Sequence, residues 1–251
     1  EKEPGAWDYI TIEGGDSGFK NCLFEYGGGD GNTMVYIKNT NAIFENCVFK
    51  KSLKNAITNS SYENPLIKNC EFIENKLSPV TCYFGNAQCI DGGTFTGNEN
   101  NYIFIDDKNG LDRDATWKKL EIPYRLVGWP TIKKENKLTL EPGIVLEFLP
   151  EGRLYVEGEL EAIGTQEQKI TFTGVNKEAG GWDWIEFQEG AGALKNCNIE
   201  YSGAYFSNEP NSMIRVTKGA NLTIENCLLY KGLGRGIALD SRSWGNINGN
   251  I

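Results

Sequence analysis

The chain contains no histidine. That removes the Ser-His-Asp and Cys-His nucleophile arrangements and the imidazole general base. Any catalysis must run on carboxylates, on Arg or Lys, or on Tyr, as in glycosidases and polysaccharide lyases. Three residues have the most useful types and spacing: Glu186, Arg215 and Asp240. An acid pair for glycoside hydrolysis needs two carboxylates roughly 5–9 Å apart in a cleft. Glu186 and Asp240 fall two repeats apart, near the upper limit of that range. Glu186 and Arg215 fall opposite each other on neighbouring strands, as do Glu13 and Lys38, and a cross-strand ion pair is the ordinary explanation of both.

A second set is aromatic. Tyr36, Tyr83, Phe104 and Trp184 fall on the outward side of their strands and suit stacking on sugar rings. Aromatics also suit strand surfaces without any ligand. A third set is Asp106, Asp107, Asp112 and Asp114, whose hard oxygens are of the kind calcium takes. Their spacing matches no EF-hand loop, so a solvated loop is the simpler reading and no cofactor is expected. A zinc site would need His or paired Cys-x-x-Cys, and neither occurs.

These residues are positioned by a repeat. Asn-Cys recurs in FKNCLFEYG, FENCVFKKS, IKNCEFIEN, LKNCNIEYS and IENCLLYKG, and the first three pairs are 25 and 23 residues apart. A period of that size marks a small unit stacked on copies of itself. In PLIKNCEFIEN, Ile67, Cys70 and Phe72 point inward while Lys68 and Glu71 point outward, and Asn69 interrupts the alternation. A residue out of phase means a bend, and Asn is the non-Gly residue best suited to left-handed backbone. Its amide is expected to bond along the stack, with Asn21, Asn46 and Asn69 in one ladder and Asn196 and Asn226 in another.

A second strand starts at Ile10, Val35, Ile57, Val80 and Ile103, at intervals of 25, 22, 23 and 23 residues, and again at Ile185, Ile214 and Ile237. Period two then gives outward columns Thr11, Tyr36, Thr58, Thr81, Phe104 and Glu13, Lys38, Ser60, Tyr83, Asp106. The expected fold is all-β, a right-handed parallel β-helix with coils of about 22–30 residues.

Residues 2–27 align without a gap on residues 177–202, with twelve identical pairs. The expectation is two modules, 1–115 and 116–251, stacked as one solenoid, with polar residues 106–128 as a crossover. Both ends read as interrupted repeats, as in a fragment of a longer array or a form that has lost its leader.

Seven cysteines suggest disulfides by number. Position argues otherwise, because Cys22, Cys47, Cys70, Cys197 and Cys227 share one inward slot and point the same way. They are expected to be buried free thiols; a Cys82–Cys89 bridge is the one disulfide worth weighing. The net charge of −9 argues against nucleic-acid or anionic-membrane partners. No apolar run is long enough to span a bilayer, so direct membrane insertion is not expected.

The wording of IPYRLVG, LTLEPGIVLEF, LYVEGELEAIGT, ITFTG and GGWDWIEF, followed by the Asn-Cys coils, resembles bacterial secreted or cell-surface right-handed β-helix repeat proteins of the pectate-lyase-like superfamily. The resemblance covers residues 122–251 and, through the internal alignment, most of 1–105. It implies an exported or surface-displayed protein whose partner is a polysaccharide or cell-surface glycan, held on the outward face of the Ile10-type sheet. That family mixes non-catalytic glycan binders, polysaccharide lyases and glycosidases, and structural adhesin stalks. Under this resemblance Tyr36, Tyr83, Phe104 and Trp184 are the binding candidates. Glu186, Arg215 and Asp240 are the catalytic ones if the protein is an enzyme.

Overall fold

The Asn of every Asn-Cys pair turns a corner. Its φ is 54° at Asn21, 53° at Asn46, 50° at Asn69, 49° at Asn196 and 54° at Asn226. This left-handed backbone rotates the chain between two short strands, and the Cys that follows drops into the interior. A second corner is built the same way by Tyr26, Lys51 and Glu74, at φ of 65°, 54° and 52°. Repeated corners of fixed hand make short strands stack in parallel. The computed structural model describes residues 2–204 and 211–251, and over them the chain is a parallel β-solenoid.

Two compact units divide the chain: Glu1–Ile105 with Leu120–Tyr124, and Asp106–Lys119 with Arg125–Ile251. In the first unit, one sheet contains Ile10–Glu13, Thr33–Lys38, Asn55–Asn59, Val80–Tyr83 and Ile103–Asp106, in that order. Ile10 is in register with Val35, Val35 with Ile57, and Ile57 with Val80, as the spacing predicts. The two other faces are short strands on either side of the Asn corner, such as Leu66–Lys68 and Glu71–Ile73. Inside, Phe24, Phe49, Phe72 and Phe95 form a column with successive centroids 4.8, 5.3 and 5.4 Å apart. Each such buried ring contributes roughly 2 kcal/mol of transfer free energy.

The second unit has a five-stranded sheet, Thr131–Ile132, Arg153–Val156, Trp184–Gln188, Ser212–Thr217 and Arg235–Leu239. A six-stranded sheet beside it runs from Ala115–Trp117 through Lys137–Leu140 to Trp244–Asn248. Residues 106–128 are therefore more than a crossover. They supply the strand Ala115–Trp117, with Trp117 fully buried, and its alternating Ala115 and Trp117 are the signal that the polar surroundings obscure.

Three further expectations need correction. The strands of Ile185, Ile214 and Ile237 form the five-stranded sheet and not a continuation of the Ile10 strand series. Among the described residues, no amide of Asn21, Asn46 or Asn69 bonds to the next. The amide ladder lies at the other corner, one residue past the left-handed position. There Asn75 Oδ1 accepts from Ser52 N (3.0 Å), Asn98 Oδ1 accepts from Asn75 N (3.1 Å), and Asn75 Nδ2 donates to Phe49 O (3.1 Å). Finally, Cys22 is only half-buried, although all seven cysteines are free and the other six are buried.

Candidate functional site

The outward face of the first unit's sheet is built as period two requires. Thr11 is in register with Tyr36, Tyr36 with Thr58, and Thr58 with Thr81. Tyr36, Tyr83 and Phe104 are each half-buried. Two contacts fix this face. Ser60 Oγ donates to the Tyr36 hydroxyl at 2.8 Å, and the Tyr83 ring lies 6.4 Å from that of Tyr62, which is 52% exposed. Lys38 bonds Glu13 at 2.8 Å across the sheet, a contact that raises the lysine pKa. The face thus combines half-buried aromatic residues, hydroxyls and one neutralised ion pair on a stiff sheet.

Trp184 does not belong to this face. It lies on the second unit's five-stranded sheet, outward as the alternation predicts, yet is only 2% exposed. Its ring is held between two guanidinium groups: Arg215 Cζ is 3.6 Å from the centroid and Arg153 Cζ is 4.2 Å away. Arg153 in turn lies 4.5 Å from the Trp129 ring, giving a four-membered stack, Trp129–Arg153–Trp184–Arg215, across successive coils. Desolvated cation–π contacts are worth about 2 kcal/mol each. Arg153 also pairs with Asp183 at 2.6 Å, with both side chains under a tenth exposed. Arg153, Asp183 and Trp129 are the residues that sequence reading missed. Strand alternation marks a residue as outward, but only the structure reveals that outward neighbours bury one another.

The catalytic candidates have structural tasks in this arrangement. Glu186 is in register with Arg215, as the spacing predicts. Its two carboxylate oxygens are both engaged, Oε2 by Trp184 Nε1 and Oε1 by Thr217 Oγ1, each at 3.1 Å. Glu186 and Arg215 are both buried. Asp240 closes the turn after Arg235–Leu239. It accepts from Lys218 N (2.7 Å), Arg242 N (3.0 Å) and Ser243 Oγ (2.7 Å). The Ser243 hydroxyl first, and then the Lys218 amide, hold its carboxyl down at a pKa of about 2. A group so acidic is unsuited to protonating a leaving group near neutral pH.

The four aspartates offered for calcium are dispersed. Asp106 Oδ1 accepts from Lys108 N, Asp107 Oδ2 from Trp129 N, and Asp114 Oδ1 from Lys137 N, while Asp112 pairs with Arg113. Among the described residues no three His, Cys, Asp or Glu side chains converge as metal ligands would.

Comparison with protein-family profiles, with curated protein sequences and with solved structures finds no match for this chain.

Proposed function

We propose that this chain is a non-catalytic β-solenoid scaffold that binds glycan along the outward face of the first unit's sheet, through Tyr36, Tyr83 and Phe104. The observation that carries the reading is that these three aromatic residues are only half-buried on the outward side of a parallel sheet. Stiffness lowers the ordering cost of binding, and rings flanked by hydroxyls suit sugars, which present both C–H faces and hydroxyl groups. The fourth aromatic candidate, Trp184, is buried inside a stack.

The proposed setting is a secreted or bacterial cell-surface protein of the pectate-lyase-like kind. Six of the seven free thiols are buried, and inaccessible thiols of that kind fit an oxidising environment. Burial pushes the Cys70 thiol up to about 12, which keeps it from forming the reactive thiolate. The reading is tested by electrophoresis through gels containing single polysaccharides. A retarded band whose retardation is reduced on Tyr36→Ala with Tyr83→Ala supports it; an unretarded band in every gel, or one indifferent to the two tyrosines, refutes it.

A further inference from the structure

We infer that Trp129 is a second sugar-stacking platform, on the second unit, built for the flat C–H face of a neutral pyranose whose ring substituents are all equatorial. The inference takes its ligand class from the glycan reading above, but its site shares no residue with the Tyr36 face.

Trp129 is 51% exposed. Four features hold it in place. Its backbone N donates to Asp107 Oδ2 at 2.9 Å, and its indole Nε1 donates to Glu151 O at 2.9 Å. Gly128, at φ 73°, leaves room for Asp107, whose carboxylate an added Cβ would strike. Pro130 restricts the backbone of the residue before it. The inner face of the ring lies on the Arg153 guanidinium, which is fixed from beneath by Asp183 and Trp184. The indole is therefore locked before any ligand arrives, and little rotamer entropy remains to be lost on binding.

The surroundings choose the ligand. Arg153 already draws the ring's π density toward the inner face and is itself neutralised by Asp183, so a second cation gains little on the outer face. An anion would meet the negative face of the ring quadrupole, with the Asp107 carboxylate near by. A neutral ring with axial C–H bonds meets neither penalty. Hydroxyl partners stand on the same outward face: Thr131 and Tyr155 are in register on adjacent strands. The Tyr155 hydroxyl accepts from Arg153 Nη1 at 3.2 Å, which leaves its own proton free to donate.

Cellohexaose, a β-linked all-equatorial glucose chain, is the probe. Indole N–H resonances of the full chain are followed by NMR during titration, with the Trp129 signal identified by its loss in Trp129→Phe. The same titration is run on Tyr36→Ala with Tyr83→Ala, which removes the first face. The expected result is a saturable shift of the Trp129 signal in both proteins. In the double-tyrosine background, Trp129→Ala should weaken binding about ten-fold or more, read by calorimetry. A Trp129 signal that stays still to about 10 mM ligand, in the millimolar range where single stacking contacts operate, overturns the inference. So does a loss on Trp129→Ala below about two-fold. Reduction of gel retardation with the tyrosines alone tests the first face and leaves the Trp129 signal to report separately.

Discussion

Trp7 and Trp182 make the same hydrogen bond in the two units: each indole Nε1 donates to a backbone carbonyl at the end of its own coil, Glu25 O at 2.8 Å and Glu200 O at 2.7 Å. The next contact is repeated too, with Gly28 N on Asp8 O and Gly203 N on Asp183 O, both at 2.6 Å. Lys2 and Lys51 flank the Tyr26 ring as Lys177 and Lys231 flank Tyr201. The residues shared by the two copies thus close coils and brace corners. Residues that differ between the copies are where a ligand surface is to be sought, and Tyr36, Tyr83 and Trp129 all lie outside the aligned segments.

The buried ion pair of the second unit should be costly to break from one side. Asp183→Asn leaves Arg153 charged and buried, with side-chain exposures of 8% and 4% in the parent. The expected loss is about 3 kcal/mol by urea unfolding. Adding Arg153→Met should recover part of it, because the double variant strands no charge. A loss under about 0.5 kcal/mol for Asp183→Asn, the scale of an exposed pair, would contradict the reading of this stack as buried.

Thr58 offers a gain. Its Oγ1 is buried, flanked in register by Tyr36 and Thr81, and has no hydrogen-bond partner in the structure. Thr58→Val keeps the shape and removes an unsatisfied hydroxyl, so stability should rise by about 0.5–1 kcal/mol. Thermal unfolding of the variant checks this, and a lowered midpoint would mean that the hydroxyl is satisfied after all.

The thiols set the alkaline limit. Denatured and alkylated, the chain should show seven modified cysteines by mass. Burial raises the pKa of Cys47 and carries that of Cys70 to about 12; Cys82 is raised well above its ordinary value by the adjoining Cys89 thiol and by burial. An unfolded thiol ionises near about 8.5. Below that pH both states are protonated and these groups leave stability unchanged. Above it the unfolded state loses protons that the folded Cys47, Cys70 and Cys82 retain, whereas in the Cys197–Cys227 pair their mutual hydrogen bond raises one thiol and lowers the other, so the three raised thiols set the sign and stability should fall from about pH 8.5 toward 12. Urea midpoints across that window test the sign, and a rise would contradict it.

Much of the fold was legible because the solenoid writes its corners in one residue type. Asn21, Asn46, Asn69, Asn196 and Asn226 sit at positive φ, and the inward Ile and Val stack in the spacing-derived register. What the sequence could not convey was coverage. Alternation places Trp184 and Arg215 on the outside of a sheet, but their burial depends on cations and rings from neighbouring coils. Asp240 illustrates the same limit, since a carboxylate used to close a turn looks in sequence like one available for chemistry. The Ser52–Asn75–Asn98 ladder was missed because Asn75 and Asn98 follow the second corner without a repeated dipeptide to mark them.

We propose that the first unit's outward face binds glycan without turning it over. The most direct measurement incubates the parent chain, and Tyr36→Ala with Tyr83→Ala, with each polysaccharide of a neutral and acidic panel, scoring gel retardation and product release together. We expect retardation by at least one glycan, no reducing ends or unsaturated products, and a loss of roughly five-fold in affinity for each ring removed, about 1 kcal/mol per stacking contact. Product that disappears on Glu186→Gln or Arg215→Met, or retardation untouched by the tyrosine changes, would contradict it.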